Sequence, residues 1–481
     1  MKRFITLGLA CIISVMFLAS CKKEYTITVQ SNNEVWGTVT GSGTYAEGSE
    51  VTISAIPAAG FYFVGWNDGI NDNPRLITVT EDANYIATFS DNPNGGGGGG
   101  ESDVVTFSGT IDNNTTLYDL GLDVDYLIDG ELFLDGNALL TVEPGVTIMF
   151  TGNNGSIRVG ENAGLKMVGT ASKPIVLCGP TNNPNNGSWL HVEVNSTRSD
   201  NQFEYVQFLR GGSGDYDWSS VVRVNGKLSM KHCVIDGSLN SGVACNNSGY
   251  FSAFENNVVR NCATYAVMID NDMAFTTDWS KGNTFTNNAN NRMFVNFSGL
   301  DVDQALTISN PGIPYELHDG MNLDGSSTLT IQPGVEFLMG HGSNFAVQTS
   351  VQFKAQGSAS NPIIFDGLEN QVGYWNGIEF RSSRSGNEIN YCQIKDVGTD
   401  DGWSNSSCIY IDGEACLSLN NNVFGPSRYY GVWIEDISNW GQVSHSGNTF
   451  NACGRANVHL EYEGSYNGHN YQGDSNLTNL P

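Results

Sequence analysis

Apolar and polar residues alternate in short runs through most of the chain after residue 24, and the runs end at glycine, proline or asparagine. In residues 146–150 (VTIMF) and again in residues 335–339 (VEFLM), every second residue is apolar. A period of two is typical of β-strands with one face in a core. No stretch after residue 24 has a convincing helical period, so the pattern predicts an all-β protein.

One of these runs occurs twice in nearly the same form. Residues 140–146 read LTVEPGV and residues 329–335 read LTIQPGV. The next phrase is also kept, as GTASKPIVL at residues 169–177 and GSASNPIIF at residues 357–365. We interpret residues 107–296 and 297–461 as two long tandem copies, followed by a polar C-terminal tail.

Each copy also contains a shorter period. The phrase at residues 233–235 returns 24 residues later at residues 257–259, a length that suits one coil of a β-solenoid. Late in the chain the spacing between the copies falls by the same 24 residues, as if one coil were lost from the second copy. A stacked solenoid tolerates such a loss, because each repeat contacts only its neighbours.

Some residues recur at matching positions of the coils. Asn257 and Asn283 match Asn422 and Asn448, which predicts asparagine ladders along the solenoid. Trp189 and Trp375 also match, and a residue kept in both copies is expected to serve the coil rather than a single site.

The phrases LTVEPGV, GTASKPIVL and SWLHVEV (residues 188–194) resemble those of right-handed parallel β-helix proteins of the pectin-lyase-like kind, which are common among exported bacterial lipoproteins. The resemblance covers nearly all of residues 101–481 and implies a right-handed parallel β-helix of some 15 coils. It does not imply one function, because lyases, hydrolases, adhesins and scaffolds share this fold.

Residues 21–90 form a different unit, with turn glycines, Pro57 and the pair Gly65-Trp66. These residues resemble the divergent internalin-type B-repeat, a small β-grasp-like module, and the resemblance implies a spacer with Trp66 as a core anchor. Residues 91–100 (DNPNGGGGGG) have the composition of a flexible linker.

The first residues have the features of a lipoprotein signal. Lys2 and Arg3 precede an apolar run at residues 4–18, and residues 18–21 read LASC. We expect residues 1–20 to be a signal peptide and Cys21 to be lipidated. A transmembrane helix is disfavoured, because the run is short for a span of about 20 residues. Lys22 favours the outer membrane, at either the cell surface or the periplasmic face.

The chain is acidic. It has 50 acidic and 22 basic residues and a net charge of −28. Such a surface repels nucleic acid and polyuronate chains, so partners should be neutral, cationic or bridged by calcium. Of the ten cysteines, eight follow Cys21. Their spacing shows no metal-binding pattern, and Cys408 with Cys416 is the one disulfide suggested.

Two clusters differ between the copies. Arg223, Lys227 and Lys231 are basic in the first copy only, and with Arg210 they could form one basic face. A lysine base beside an arginine that neutralises a uronate is what β-elimination requires. The alternative is an ordinary solvated strand face.

The second cluster is aromatic and belongs to the second copy. It consists of Tyr429, Tyr430, Trp433 and Trp440, with Glu435 and Asp436 nearby. Exposed aromatic rings with carboxylates suit the binding of neutral glycan. A capping coil over the open end of the core explains the same residues.

Two acidic loops complete the candidate sites. Asp215 and Asp217 precede Trp218, and Asp400 and Asp401 precede Trp403. Carboxylates could bind calcium there while the indole stacks on a sugar. Solvated loops with a packed tryptophan are the alternative.

The sequence therefore favours a cell-envelope lipoprotein that displays a β-helix for binding or adhesion, with extracellular glycan or a surface protein as the partner. No catalytic set is evident, which favours a non-enzymatic function. A polysaccharide lyase or glycoside hydrolase acting on one β-helix face, and a structural envelope scaffold, are the alternatives.

Overall fold

A computed structural model describes residues 23–58, 61–90, 104–180, 183, 185–214, 219–399, 407–412, 414–435, 443–461, 464–466, 469–471, 473 and 475–480. Contacts divide the chain into two compact units, Met1–Gly100 and Glu101–Pro481. Within the described part of the chain, no helix is both long and apolar enough to cross a membrane.

The first unit is a small β domain. Its strands are β1 (Glu24–Ser31), β2 (Gly37–Thr40), β3 (Gly43–Ala46), β4 (Glu50–Pro57), β5 (Tyr62–Trp66), β6 (Arg75–Thr78) and β7 (Ala83–Ser90). One sheet has the order β3-β1-β7-β5 and the other the order β2-β4-β6. Trp66 is 3% exposed in the core, as predicted. Gly37 has no substitute, because a Cβ there would lie 2.4 Å from the Phe89 ring.

The second unit is a β-solenoid of about 13 turns, somewhat fewer than the 15 expected from the sequence. The strands of its first half are β8 (Val105–Ile111), β9 (Thr115–Leu117), β10 (Tyr126–Leu134), β11 (Leu139–Val142), β12 (Thr147–Phe150), β13 (Ser156–Val159), β14 (Gly164–Val168), β15 (Ile175–Cys178), β16 (Val192–Val194), β17 (Gln202–Glu204), β18 (Val206–Gly211), β19 (Ser220–Val224), β20 (Lys227–Lys231), β21 (Val234–Ser238), β22 (Ser241–Cys245), β23 (Tyr250–Glu255), β24 (Val258–Cys262), β25 (Tyr265–Ile269), β26 (Thr284–Thr286) and β27 (Asn290–Val295). A short 3₁₀ helix, Asp272–Thr276, lies between β25 and β26.

The second half repeats this order. Its strands are β28 (Gly299–Asp301), β29 (Leu306–Ile308), β30 (Tyr315–Leu317), β31 (Met321–Asp324), β32 (Thr328–Ile331), β33 (Glu336–Met339), β34 (Phe345–Val347), β35 (Gln352–Gln356), β36 (Ile363–Gly367), β37 (Ile378–Phe380), β38 (Glu388–Asn390), β39 (Cys392–Ile394), β40 (Ser407–Ile411), β41 (Leu417–Asn420), β42 (Val423–Phe424), β43 (Tyr430–Ile434), β44 (Val443–Ser446), β45 (Thr449–Phe450), β46 (Ala456–Leu460), β47 (Gly464–Tyr466), β48 (His469–Tyr471) and β49 (Ser475–Leu477).

Most coils supply one strand to each of three faces. Face 1 contains β12, β15, β18, β21, β24 and β26 in the first copy and β30, β33, β36, β39, β42 and β45 in the second. Face 2 contains β10, β13, β16, β19, β22, β25 and β27, then β28, β31, β34, β37, β40, β43 and β46. Face 3 contains β9, β11, β14, β17, β20 and β23, then β29, β32, β35, β38, β41 and β44. Neighbouring strands within each face are parallel, so the predicted parallel β-helix is confirmed.

The two copies meet at β27. This strand pairs with β25, which belongs to face 2 of the first copy, and with β30, which belongs to face 1 of the second copy. The ladder of paired strands therefore continues through the junction, but it leaves face 2 of the first copy and enters face 1 of the second copy. At the far end, β49 pairs antiparallel with β46 and ends the run of parallel strands.

The matching tryptophans pack inside the coils, as predicted. Trp189 and Trp375 are both fully buried. Trp189 donates its indole N–H to the carbonyl of Leu209 at 2.8 Å, and Trp375 donates to the carbonyl of Lys395 at 2.7 Å. The suggested disulfide is wrong, because Cys408 and Cys416 are both free thiols.

Asparagine side chains link successive coils at the corner before face 1. Asn257 accepts from the backbone N–H of Cys233 at 2.9 Å and donates to the carbonyl of Met230 at 3.0 Å. Asn283 in turn accepts from the backbone N–H of Asn257 at 3.0 Å. The second copy repeats this pattern through Asn422 and Asn448, so the predicted ladders are confirmed. They satisfy buried backbone groups that the turn leaves without a strand partner.

The same corners require left-handed backbone. Asn256, just before β24, and Asn261, in its last two residues, have φ angles of 54° and 59°. Tyr391 and Asp396 stand at the two ends of β39 with φ angles of 49° and 61°. Asparagine tolerates this conformation better than most residues do, which explains why it recurs at the turns.

We expect Asn257→Ala to destabilise the solenoid by about 1–3 kcal/mol, because two buried backbone groups would lose their partners. Asn257 is fully buried, whereas Asn154 is exposed, so Asn154→Ala is the control and should change stability by less than about 0.5 kcal/mol. Urea unfolding followed by circular dichroism measures both. Equal midpoints for the two variants would contradict the ladder's role.

Candidate functional site

Side chains that point outward from face 2 form a column, because strands of successive coils pair in register. In the first copy, the column contains Phe133, Arg158, Glu193 and Arg223. The corresponding column of the second copy contains Asn322, Ala346, Glu379 and Tyr410. The residues on either side of these positions point inward and are apolar in both copies. Of the four outward positions, only the third has the same residue in both copies, namely Glu193 and Glu379.

A cleft of about 450 Å³ lies beside the first-copy column. Its lining includes Phe133, Arg158, Glu161, Asn162, Glu193 and Asn195. Asp135 and two glycines, Gly136 and Gly160, complete it. We call this the first-copy cleft. It combines an aromatic ring with charged and amide side chains, a composition typical of sites that bind polar ligands with apolar faces.

Arg158 is held in place at the cleft by two neighbours. Its guanidinium lies 4.4 Å from the centre of the Phe133 ring. It also donates two hydrogen bonds to the Glu131 carboxylate, at 2.9 Å and 2.7 Å, and these raise the pKa of Arg158. Its positive charge is therefore largely compensated by a residue outside the lining of the cleft.

Glu193 is the most buried acid of the cleft. Its carboxylate accepts a 2.6 Å hydrogen bond from the Asn225 amide and lies 3.5 Å from His191. Burial alone would raise the pKa of Glu193, but His191, Arg223 and Asn225 outweigh burial and lower the pKa. Glu193 is therefore an ionised carboxylate at neutral pH.

The predicted aromatic cluster is packed rather than open. Tyr430 is 6% exposed and Trp433 is 7% exposed, and the Trp433 ring meets Tyr410, Tyr430 and His459 edge to face. The indole of Trp433 donates to Glu461 at 3.0 Å. Little of the Trp433 surface is therefore left for a sugar ring.

Two further residues of this cluster have polar partners. Glu435 accepts a hydrogen bond from the Tyr410 hydroxyl. Tyr429 is half-buried, with the Arg455 guanidinium 4.6 Å from its ring centre. Trp440 and Asp436, the other predicted members, lie outside the described residues.

The predicted basic residues lie on three different faces. Arg210 lies on β18 of face 1 and Arg223 on β19 of face 2. Lys227 and Lys231 lie on β20 of face 3. Lys231 forms an ion pair with Glu255 of the next coil, at 3.1 Å. The single basic face expected from the sequence is therefore not formed by these residues.

The remaining predicted sites are the lipidation site and the two acidic loops. Cys21 and the acidic-loop residues Asp215, Asp217, Asp400 and Asp401 lie outside the described residues. In the part of the chain that the structure does describe, no group of three or more histidine, cysteine, aspartate or glutamate side chains could hold a metal ion. Calcium binding by the loops stays a prediction.

Sequence reasoning missed a buried carboxyl pair on face 1 of the second copy. Asp366 and Asp396 are each 5% exposed, and Lys395 lies 2.5 Å from Asp366. Burial, the charge of Asp366 and the hydrogen bond between the two carboxyls raise the pKa of Asp396 to about 6, against the opposing charge of Lys395. Below about pH 6 the Asp396 carboxyl is therefore protonated beside Asp366.

A comparison of the two copies could have found this pair. Asp366 takes the place of Cys178 in β15, and Asp396 takes the place of Arg210 in β18. The change from a thiol and a cation to two carboxyls is visible in the sequence. That the two side chains touch is not visible, because the distance between coils belongs to the fold.

Because the pKa of Asp396 is higher in the folded chain than its ordinary value of 3.8, the folded state binds this proton more tightly. Its stabilising contribution is complete below about pH 4 and is lost as pH rises through about 6. We expect Asp396→Asn to remove this loss of stability, which is on the order of 1–3 kcal/mol. The asparagine amide keeps a hydrogen-bond donor toward Asp366.

Urea midpoints at pH 4.5 and pH 7.5 measure the effect. The exposed Asp303 provides the control Asp303→Asn, which should leave the difference between the two pH values unchanged. The same pH dependence in wild type and Asp396→Asn would show that the pKa of Asp396 is not raised in the folded chain.

Comparisons with known families agree with this architecture. The family model described as the divergent InlB B-repeat domain matches residues 25–93. The model described as the pectate-lyase like beta helix domain matches residues 109–224, which lie in the first copy. No curated protein and no solved structure matches the chain significantly. The chain therefore joins a divergent InlB B-repeat domain to a pectate-lyase-like β-helix.

Proposed function

We propose that this chain is a lipid-anchored cell-envelope protein whose β-helix binds an extracellular glycan. The observation that carries the proposal is the first-copy cleft, about 450 Å³ in volume, where the Phe133 ring meets amide and carboxylate side chains. Pyranose rings have apolar C–H faces and polar hydroxyl edges, and this combination of side chains suits both.

The differences between the copies support a binding role for the cleft. Asn322, Ala346 and Thr349 of the second copy stand where the first copy has Phe133, Arg158 and Glu161. The coils of the second copy stack without these side chains, so the fold itself does not require them. Residues that the fold does not require are the better candidates for a ligand.

Charge limits the class of glycan. With a net charge of −28, the chain repels polyuronates unless cations intervene. A neutral or cationic glycan fits this surface, and so does a surface protein with a basic patch. We therefore place the protein among binding or adhesion proteins rather than among lyases of uronate polymers.

The N-terminal region and the β-helix have different functions in this proposal. Lipid on Cys21 would hold the protein at the outer membrane, and the B-repeat domain with the glycine-rich segment would separate the β-helix from the lipid surface. Such an anchor can hold the β-helix at either the cell surface or the periplasmic face. An envelope scaffold without a small ligand is the remaining alternative.

We expect the chain to bind at least one neutral or amino-containing polysaccharide from a panel, and Phe133→Ala to weaken that binding about tenfold, the equivalent of 1.4 kcal/mol. Asn322→Ala, at the same position of the second copy, is the matched control and should bind as wild type does. Isothermal titration calorimetry, with and without calcium, measures the affinities.

Other results would place the glycan site elsewhere or contradict the proposed function. If Tyr429→Ala abolishes binding while Phe133→Ala does not, the glycan site lies in the aromatic cluster near the C-terminal end. Release of reducing ends or unsaturated products from the panel would show an enzyme instead. Binding to no member of the panel would contradict the proposed function and favour the scaffold.

We also expect Cys21→Ser to move the protein from the membrane fraction to the soluble fraction of the envelope, because its acyl chains would be missing. Fractionation followed by immunoblotting measures the change. The neighbouring substitution Lys23→Ser is the control and should leave the protein in the membrane fraction. Wild-type protein without attached lipid would contradict the anchor.

A further inference from the structure

We infer that Lys395 and Asp366 form an intramolecular isopeptide bond, in which the lysine amine and the aspartate carboxyl condense to an amide. This covalent modification would join two neighbouring coils of the second copy, and it does not depend on the proposed glycan binding. Its support comes from the position of Lys395 against Asp366, from the carboxyl of Asp396 beside them and from the corresponding residues of the first copy.

The strand ladder holds the two reacting side chains in contact. Phe365 and Ile394 are paired in register, and the backbone N–H of Lys395 donates to the carbonyl of Phe365 at 3.0 Å. Asp366 therefore lies opposite Lys395 on the neighbouring strand, and the Nζ atom of Lys395 is 2.5 Å from Oδ2 of Asp366. Contact at this distance places the nitrogen close to the carboxyl carbon, which removes much of the entropic cost of joining them.

Asp396 places a second carboxyl against the reacting group. Its backbone N–H donates to the carbonyl of Pro426 at 2.8 Å, and its own carbonyl accepts from the N–H of Tyr374 at 2.8 Å, so its position is fixed. Burial, the charge of Asp366 and the hydrogen bond between the two carboxyls raise the pKa of Asp396 to about 6. A carboxyl with such a pKa can both give and take a proton near neutral pH.

The condensation needs no oxidant, reductant or cofactor, because its only other product is water. A proton passes from the Lys395 ammonium to the Asp366 carboxylate, and the neutral amine then attacks the Cγ atom of Asp366. Asp396 donates its proton to the departing hydroxyl, which leaves as water, and takes a proton from the nitrogen, so that Asp396 ends protonated as it began. One C–N bond forms, one C–O bond breaks and the two charges of the ion pair disappear. The pH dependence of stability expected from Asp396 therefore belongs to the unlinked chain.

The surroundings of Asp366 favour the amide. Its Oδ1 atom accepts a hydrogen bond from the backbone N–H of Gly367 at 2.9 Å, and this donor would stabilise the negative oxygen of the tetrahedral intermediate. Leu338, the partner of Asp366 on the preceding coil, is buried, as is Asp366 itself. Little water can therefore reach the carboxyl carbon from this side, which protects the bond from hydrolysis.

The first copy has none of these three groups. The residues at the positions of Asp366, Lys395 and Asp396 are Cys178, Leu209 and Arg210. The coils of the first copy stack without a lysine and two carboxyls at this place, so the fold itself does not require them. The three residues occur together in the second copy, which supports a reaction that needs all of them.

Peptide mapping by mass spectrometry tests the bond on the full chain, with Cys21→Ser so that it stays in solution. Trypsin cuts an unlinked chain after Lys395 and releases residues 355–381 and 385–395 as separate peptides. We expect instead a branched species that joins residues 355–381 to residues 385–428, because trypsin does not cut after an acylated lysine. Its mass should be lower than the summed masses of the two peptides by one water molecule.

Two substitutions separate the reaction from the ion pair. Lys395→Arg keeps a positive charge beside Asp366, but a guanidinium does not give up its proton, so the branched species should be absent. Asp396→Asn keeps the size of the side chain but cannot transfer the proton, and it should lower the amount of branched species at least about tenfold. Unchanged circular dichroism shows that both variants fold.

A second lysine–acid pair provides an internal control in the same digest. Lys231 and Glu255 are paired in register on neighbouring coils, with 3.1 Å between their charged atoms. Both of these side chains are about one-third exposed, whereas the Asp366 side chain is 7% exposed. We expect the peptides that contain Lys231 and Glu255 to appear unlinked.

Complete cleavage after Lys395 in the wild-type chain, with no branched species, would overturn the inference. Equal linkage of Lys231 to Glu255 would also overturn it, because handling of the sample would then explain both bonds. Equal amounts of branched species in the wild-type chain and Asp396→Asn would contradict the proton transfer by Asp396.

Discussion

Hydrogen bonding between successive coils is the constraint on which the rest of this structure depends. Most strands of the β-helix pair in parallel with the strand one coil before and the strand one coil after, so successive coils must present their strands at the same positions. Only the connecting loops are free to change length. Where a corner interrupts the ladder, an asparagine side chain such as Asn257 bonds to the backbone of a neighbouring coil.

This constraint brings distant residues together on the outer faces. Strands of neighbouring coils lie about 4.8 Å apart, so Phe133, Arg158 and Glu193 become neighbours although as many as 60 residues separate them in the chain. Outward positions carry little of the packing and can change without disturbing the ladder. The two copies accordingly keep apolar residues at the inward positions and differ most on the outside.

The buried carboxyl pair shows the limit of that freedom. Asp366 and Asp396 point outward, yet each is 5% exposed. Burying two carboxylates costs several kcal/mol unless they are paired. Here the ammonium group of Lys395 and the protonation of Asp396, which its raised pKa favours, both lower that cost. The first copy avoids the problem, because Cys178 and Arg210 stand in the same places.

The internal repeats made the architecture of the chain predictable from its sequence. The phrases LTVEPGV and LTIQPGV, the alternating strands and the recurring asparagines predicted a parallel β-helix with internal ladders, because these features repeat at the spacing that stacking requires. Buried tryptophans could be told from candidate site residues by the same means, since Trp189 and Trp375 occur in both copies. The sequence also located the small β domain that precedes the helix.

Only the tertiary structure decided which side chains meet. It buried Trp433 among Tyr410, Tyr430 and His459, spread the basic residues over three faces, and placed Phe133 beside Arg158. Loop length varies from coil to coil, so the sequence distance between two residues does not show whether they stack. Strand register supplies that information, and register is a property of the folded chain.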